Sequence, residues 1–385
     1  MNVAVPKEVV SGERRVALTP DIAARLHKSG VSVWVEHDAG AAAGFLDAAY
    51  AASGCTIVRD VKELFDNADI VLKVQRPSYN QALGIDETQL MRSGSALVAL
   101  LAPLVNIEAM NALAARGVTA FSMDAIPRIS RAQGMDVLSS QSTVAGYKAV
   151  LLGAQALPKF FPMLMTAAGT VAPAKVLVLG AGVAGLQAIA TARRLGAVVS
   201  GYDTRPVVKE QVESLGASFV AQPVASDAEA AGGYAKELSA ETQAKERELI
   251  AKVVAESDVV ITTALVPGKR APLLITAAMV EAMRPGSVIV DLAAEAGGNC
   301  ELSQPGETIV AHDVTIIAPF NVPSSMPLHA SQLYAKNVQA LFNHLVRDGK
   351  LQLDMDDEIT RSVCITHAGQ IVSEATRALV GGQTK

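Results

Sequence analysis

The chain has 385 residues, half of them hydrophobic, and its 33 Lys and Arg against 38 Asp and Glu give a net charge of −5. This length predicts two domains that each bury a core, and the absence of a basic stripe argues against nucleic acid as a partner. The first seven residues lack a secretion-signal pattern, and Cys55, Cys300 and Cys364 form no CxxC pair. We therefore expect a cytoplasmic protein with reduced thiols and no metal site.

The chain alternates between short β-branched runs and segments of helical spacing. The runs that predict strands are Val3–Pro6, Val31–Glu36, Ile70–Val74, Ala96–Leu100, Val118–Met123, Lys175–Leu179, Val198–Tyr202, Ser218–Val220, Val259–Thr263, Val288–Leu292 and Thr315–Ala318. Pro20–Ser29 and Ile107–Arg116 are among the segments with helical spacing. The alternation predicts right-handed βαβ units, and its two series predict an α/β protein with two Rossmann-like, doubly wound parallel-sheet domains.

Two longer helical segments indicate how the domains are connected. Ser140–Leu157, with Ser and Thr available as caps, would bridge the domains, and Leu328–Val346 would return to the first one. The predicted domains are therefore residues 1–138 plus 325–385 and residues 139–324, with a ligand-binding cleft between them. The most apolar stretch, Val176–Ala192, holds three glycines and is shorter than the roughly 20 apolar residues of a membrane span, so we expect none.

A glycine-rich motif directly follows the strand Lys175–Leu179. Its residues Gly180, Gly182 and Gly185, with Val183 between them, lead into a helical segment, as in dinucleotide-binding folds. Asp203 ends the next strand, where its carboxylate can accept both ribose hydroxyls and repel a 2′-phosphate. This favours NAD(H) over NADP(H), although the neighbouring Arg205 could serve a 2′-phosphate. The remaining interpretation is a plain glycine turn with a surface aspartate.

Several blocks of the sequence resemble the NAD(H)-binding component of proton-translocating NAD(P)⁺ transhydrogenases, in the alanine dehydrogenase/transhydrogenase family. They run in order through most of the chain: Pro127–Ser142, Met165–Thr170, Gly180–Gly185, Glu213–Gly216, Ala231–Glu237, Thr262–Lys269 and Glu295–Cys300. The resemblance implies hydride transfer between NAD(H) on this chain and NADP(H) on a partner subunit, coupled to proton translocation by a membrane component. It also implies a homodimer that attaches peripherally to the inner membrane through these partners.

The resemblance also implies roles for individual residues. Gln133 would align the nicotinamide, Arg128 and Asp136 would hold its loop, and Ser139 would bind near the carboxamide. The other cofactor contacts implied are Ile129, Ser130, Arg131, Thr204, Arg205, Gly233, Tyr234 and Leu265. Gly233 and Tyr234 lie in a long Ala- and Gly-rich segment that we expect to act as a lid. Without the resemblance, these residues have ordinary interpretations: a polar loop, a surface insertion and a core leucine.

A second member of the family, alanine dehydrogenase, is the alternative. Arg15 and Lys73 resemble its carboxylate-binding cations, and Glu295 replaces the acid of its glycine-pair loop. Leu100, however, stands where its proton-transfer histidine is expected, so the general base is missing. We therefore expect Arg15 and Lys73 to be structural, while an anion-binding role stays open. The third alternative is an NAD-sensing module without chemistry.

Overall fold

The computed structural model describes residues 1–220, 240–266 and 268–382. In these residues the strands are β1 Asn2–Val5, β2 Ser32–Glu36, β3 Thr56–Val58, β4 Ile70–Gln75, β5 Tyr79–Asn80, β6 Ile85–Asp86, β7 Ala96–Leu100, β8 Thr119–Ser122, β9 Leu164–Thr166, β10 Gly169–Val171, β11 Lys175–Leu179, β12 Val198–Tyr202, β13 Ser218–Phe219, β14 Val259–Thr262, β15 Val288–Asp291, β16 Thr308–Ala311, β17 Val314–Ile317, β18 Val346–Arg347, β19 Lys350–Leu351, β20 Cys364–His367 and β21 Gln370–Ile371. The helices are α1 Pro20–Lys28, α2 Asp47–Ala52, α3 Val61–Asp66, α4 Glu87–Leu90, α5 Ile107–Ala115, α6 Val137–Ala156, α7 Val183–Arg194, α8 Lys209–Ser214, α9 Ala240–Glu256, α10 Ala277–Glu281, α11 Pro327–Leu345, α12 Glu358–Val363 and α13 Glu374–Gly382.

The described chain forms two compact units. Unit 1 comprises residues 1–141 and 323–385, and unit 2 comprises residues 142–322, so one boundary falls inside α6. That each unit folds as an independent domain stays a prediction, as does the cleft between them. Among the residues that the structure describes, no helix combines the length and the apolar character that crossing a membrane requires.

Unit 1 is built on an eight-stranded sheet in the order β21–β20–β8–β7–β4–β1–β2–β3. The strands β1, β2, β3, β4, β7 and β8 are parallel to one another. By contrast, β20 runs antiparallel to β8, and β21 runs antiparallel to β20. Side chains alternate between two buried clusters: Ile70 and Leu72 of β4 join one, and Val71 joins the other. Both faces of the sheet are therefore covered, as a doubly wound fold requires.

Unit 2 is built on a seven-stranded sheet in the order β13–β12–β11–β14–β15–β17–β16, parallel except for β16. Its central strand β11 again serves two clusters, with Val176 and Val178 on one face and Leu177 and Leu179 on the other. Strand order reverses between β11 and β14, and ligands of open α/β sheets bind at such a switch point, outside the carboxyl ends of the strands. The prediction of two parallel-sheet α/β units is confirmed.

The start of α6 corrects the sequence-based prediction. The helix begins at Val137, three residues before the predicted start, because the carboxylate of Asp136 accepts the backbone N–H of Ser139 at 2.9 Å and so caps the first turn. Ser140, which was expected near the cap, lies inside the helix and donates its hydroxyl to Asn337 at 2.7 Å. A carboxylate thus performs the capping that we assigned to Ser and Thr.

Candidate dinucleotide-binding site

The glycine-rich motif forms the turn between β11 and α7. Gly180 has a φ of +97°, a conformation that favours glycine. A Cβ on Gly185 would lie 1.8 Å from the carbonyl oxygen of Gly180, so only glycine allows α7 to start this close to the strand. A Cβ on Gly182 would meet nothing within 4 Å, which leaves open space beside the backbone that precedes α7. The turn and the helix N-terminus therefore fit a pyrophosphate.

Asp203 follows β12 and contacts the glycine turn. Its Oδ2 accepts the backbone N–H of Ala181 at 2.8 Å, and its side chain is only 7% exposed. Arg205 donates its backbone N–H and Nε to Oδ1, and a terminal guanidinium nitrogen to Oδ2, each at 2.9 Å. Thr204, between them, is half-buried. The structure thus brings Asp203, Thr204 and Arg205 together with the glycine turn.

Leu265 lies in the loop that follows β14, beside the turn that follows β11. Two residues earlier, Thr263 donates its hydroxyl to the carbonyl of Gly180 at 2.9 Å, which joins the loop to the glycine turn. The side chains of Val183 and Leu265 are 43% and 45% exposed. Two open apolar side chains after adjacent parallel strands suit the covering of a flat aromatic ligand.

The polar segment 128–139 lies in unit 1. Ser130–Met135 forms a 3₁₀ helix whose Ala132 and Met135 are buried, and Asn337 donates its side-chain amide to the carbonyl of Gly134 at 2.8 Å. This anchoring leaves the Gln133 side chain exposed. An exposed side chain on a fixed backbone is suited to contacting a ligand or a partner.

Other predicted residues of this segment have structural contacts. Arg128 and Ser130 are exposed and Ile129 is half-buried. Arg131 forms an ion pair with Asp357 at 2.8 Å. The backbone N–H of Thr360, and after it the guanidinium of Arg131, hold the pKa of the Asp357 carboxyl well below its ordinary value. The hydroxyl of Ser139 donates to Asp136 at 2.5 Å. Asp136 and Ser139 thus serve the start of α6 in addition to any role toward a cofactor.

The predicted lid residues Gly233 and Tyr234 lie outside the described residues. Within the described ranges, unit 2 holds Gly180, Gly182, Val183, Gly185, Asp203, Thr204, Arg205 and Leu265, and unit 1 holds Arg128, Ile129, Ser130, Arg131, Gln133, Asp136 and Ser139.

The cations Arg15 and Lys73 lie at the strand-order reversal of the first sheet, and both are buried. Arg15 pairs with Glu13 through two guanidinium nitrogens at 2.6 and 2.8 Å. The ammonium of Lys73 lies 3.3 Å from Glu8 and 3.1 Å from Glu87. Burial opposes the charge on Lys73, but these carboxylates outweigh it and raise the pKa of Lys73 above its ordinary value. Both buried cations therefore pair with carboxylates of the same unit.

His37, Asp38 and Asp47 form a cluster whose possible ligand atoms all lie within 4.8 Å of one another. His37 Nδ1 hydrogen-bonds to one oxygen of Asp47 at 2.5 Å, and the backbone N–H of Asp38 donates to the other at 3.0 Å. Burial alone would raise the pKa of Asp47, but these hydrogen bonds lower it. These hydrogen bonds account for the arrangement of His37, Asp38 and Asp47.

Two family descriptions match the sequence: "Alanine dehydrogenase/PNT, N-terminal domain" over residues 4–145 and "Alanine dehydrogenase/PNT, C-terminal domain" over residues 149–374. The first portion of NAD(P) transhydrogenase subunit alpha of Rhodospirillum rubrum is 50% identical over 379 residues, which cover 97% of this chain and 98% of that protein. The crystal structure of transhydrogenase from Sinorhizobium meliloti matches with a TM-score of 0.87 at 43% identity, over 96% of this chain and 100% of that one. A structure of L-alanine dehydrogenase matches with a TM-score of 0.83 at 29% identity, over 99% of both chains.

Proposed function

Because the chain belongs to the alanine dehydrogenase/PNT family, we propose that it is the NAD(H)-binding component of a proton-translocating NAD(P)⁺ transhydrogenase. In this proposal hydride passes between NAD(H) bound here and NADP(H) bound by a partner subunit, coupled to proton translocation by a membrane component. The similarity to the Rhodospirillum rubrum transhydrogenase alpha-subunit protein, at 50% identity over nearly the whole of both chains, supports this assignment.

The observation that carries the cofactor assignment is the contact between Asp203 and the glycine turn. The hydrogen bond from Ala181 to Asp203 fixes a carboxylate beside the open backbone at Gly182. In a dinucleotide-binding fold this carboxylate accepts the ribose hydroxyls and disfavours a 2′-phosphate. The carboxylate therefore favours NAD(H), whose reduced nicotinamide supplies the hydride, with the ribose competing against the Arg205 side chain for Asp203.

Hydride transfer between two aligned rings needs no acid or base, so positioning is the main task of the protein. We assign the alignment to Gln133, which is exposed on a 3₁₀ helix anchored by Asn337. Arg128 and Asp136 hold the segment that carries it, and Ile129, Ser130, Arg131 and Ser139 complete the cofactor contacts. The use of Asp136 as the cap of α6 supports a role in fixing this segment.

The contacts of Arg15 and Lys73 argue against the alanine dehydrogenase alternative. Glu13 occupies the guanidinium of Arg15, and Glu8 and Glu87 neutralise Lys73, so neither buried cation is available to a substrate carboxylate without breaking an internal pair. Leu100, which ends β7, offers no group that exchanges a proton. Binding and oxidation of an amino acid would therefore require that an internal ion pair be broken and that a group other than Leu100 transfer the proton.

We further propose that two copies of the chain associate through the hairpin β9–β10. Its strands are exposed along their whole length, and Phe160, Met163 and Met165 are each more than half exposed. A two-stranded hairpin is marginally stable in water by itself, and apolar patches of this kind mark interfaces. A second copy would bury them. Membrane attachment would come from the NADP(H)-binding and membrane-spanning partners.

The test adds the purified full chain to membranes that carry the partner subunits but lack this one, and follows reduction of an NADP⁺ analogue by NADH. The proposal expects transfer only when both are present. NADH binding without any acceleration of transfer would favour the sensor alternative. Steady NADH production by the chain alone from alanine and NAD⁺ would instead establish the alanine dehydrogenase alternative.

A further inference from the structure

The loop that follows β15 is folded around the buried carboxylate of Asp291. Oδ1 accepts the hydroxyl of Thr262 and the backbone N–H of Ala293, each at 2.9 Å. Oδ2 accepts the backbone N–H of Asn299 at 2.9 Å and the hydroxyl of Ser303 at 2.7 Å. This carboxylate belongs to the last residue of its strand, so it fixes the loop at the carboxyl end of the sheet. The position of Asn299 is set as a result.

The side chain of Asn299 bonds across to the neighbouring loop. Its Oδ1 accepts the backbone N–H of Ala264 at 3.0 Å, and its Nδ2 donates to the carbonyls of Ala264 at 2.9 Å and Pro272 at 2.8 Å. Asn299 is completely buried. One side-chain amide therefore satisfies both backbone groups of Ala264, in the way that a neighbouring strand would.

The residues on either side of Ala264 belong to the candidate site. Thr263 bonds to Gly180 in the glycine turn, and Leu265 presents its exposed side chain after the strand. Fixing the N–H and the C=O of Ala264 restricts the backbone from which Leu265 projects. We propose that Asn299 is a positioning residue that holds Leu265 over the bound cofactor. This inference rests on the proposed NAD(H) site.

The role requires an amide. A carboxylate at this position would face the carbonyl oxygens of Ala264 and Pro272 without a proton to donate. An apolar side chain would leave three partly buried backbone groups without this partner. Ser303 provides the matched control. Its hydroxyl bonds to Asp291, as the backbone N–H of Asn299 does, but its partner is not Ala264. Ser303→Ala thus perturbs the same loop and leaves the bonds from the Asn299 side chain in place.

The experiment measures the NADH dissociation constant of the full chain and of Asn299→Ala, Leu265→Ala, the double variant and Ser303→Ala. We expect Asn299→Ala to weaken NADH about tenfold and Ser303→Ala to change it less than about threefold. If Asn299 acts through Leu265, the double variant has an NADH dissociation constant no larger than that of the single variant that binds NADH less tightly. Multiplied effects, or unchanged binding in Asn299→Ala, would overturn the inference.

Amide hydrogen exchange in the unmutated chain provides a measurement that does not depend on a variant folding. The inference expects the Ala264 amide to exchange as slowly as the amides of β14, since it is bonded to Asn299. Exchange as fast as in an exposed loop would overturn it. A chain that does not bind NADH at all would instead reject the proposed function, so the two failures are distinguishable.

Discussion

The side chain of Arg205 holds both oxygens of the Asp203 carboxylate, with Nε on Oδ1 and a terminal nitrogen on Oδ2. Together with the backbone N–H groups of Ala181 and Arg205, this fills the four acceptor positions that a carboxylate offers. Ribose hydroxyls would therefore compete with the guanidinium for Asp203. Arg205 also neutralises the charge that would repel a 2′-phosphate, so cofactor preference depends on the pair.

Arg205→Met should increase the preference for NADH over NADPH. The change releases acceptor positions on Asp203 and leaves its negative charge uncompensated, which penalises a 2′-phosphate. We expect the ratio of the NADPH and NADH dissociation constants to rise about tenfold. Titration of both cofactors measures this ratio, and a ratio that falls would show that Arg205 does not neutralise Asp203 in the complex.

Asp203→Ala should weaken NADH binding by ~1–3 kcal/mol, because charge-assisted hydrogen bonds to the ribose are lost. Asp203→Asn is the matched control, since its amide oxygen still accepts from Ala181 and supports the turn. Asn should therefore retain part of the affinity that Ala loses. Equal affinity of the unmutated chain for NADH and NADPH would contradict the assigned role of the carboxylate.

Gln133→Asn should slow hydride transfer much more than it weakens NADH binding. The substitution keeps the amide but shortens its reach by one methylene, and misplacement by about 1 Å can reduce a rate on the order of 10²-fold. Transfer is measured in the reconstituted complex and binding in the isolated chain. A fall of both quantities by the same factor would make Gln133 a binding residue only.

Lys73→Met should lower the free energy of unfolding by about 3–5 kcal/mol, since Glu8 and Glu87 would remain buried without their cation. Urea unfolding measures the loss. The triple variant with Glu8→Gln and Glu87→Gln should recover some of it by removing the stranded charges. Lys62→Met is the control: Lys62 is 77% exposed and 3.9 Å from Asp66, so we expect a change below about 0.5 kcal/mol. If Lys73→Met lowered the free energy of unfolding as little as Lys62→Met does, a structural role of Lys73 would be contradicted.

Met165→Asp should shift the chain from dimer to monomer in sedimentation equilibrium. The side chain is 73% exposed on the apolar hairpin, and a charge there would have to be buried against the second copy. Val105→Asp changes a similarly exposed residue of unit 1, 69% exposed, and should leave the dimer intact. If both variants were monomeric, or if both remained dimeric, an interface at the hairpin β9–β10 would be contradicted.

The parallel edge strand β3 was not predicted, because only Val58 of its three residues is buried. Most of the other parallel strands could be predicted from sequence because they are largely apolar runs of buried residues, as in β4, β14 and β15. The antiparallel additions could not. Cys364–His367 contains two polar residues and follows a short helix, so nothing in its pattern indicates that it pairs with β8. The hairpin β9–β10 is exposed on every residue and therefore carries no alternation of buried and exposed positions. A buried strand leaves an apolar pattern in the sequence, whereas an exposed strand does not.

The candidate site shows a similar division. The glycine turn and Asp203 are detectable because local geometry demands those residue types at a fixed spacing. Asn299 is not, since its partners Ala264 and Pro272 are tens of residues away and are contacted through backbone atoms. The pairing of Arg205 with Asp203 could not be predicted from the sequence either, because a side chain two residues away can point in several directions.

The pairing of β8 with β20 has a consequence for biosynthesis. Thr366 bonds to Ala120 across a separation of 246 residues, and the whole of unit 2 lies between them in the chain. At translation rates of about 5–20 residues per second, the edge of β8 stays unpaired for roughly 10–50 seconds before β20 is synthesised. Unit 2 is contiguous and can complete its sheet during that interval. Unit 1 is thus begun before unit 2 and completed after it, and the unpaired edge of β8 needs protection until β20 emerges.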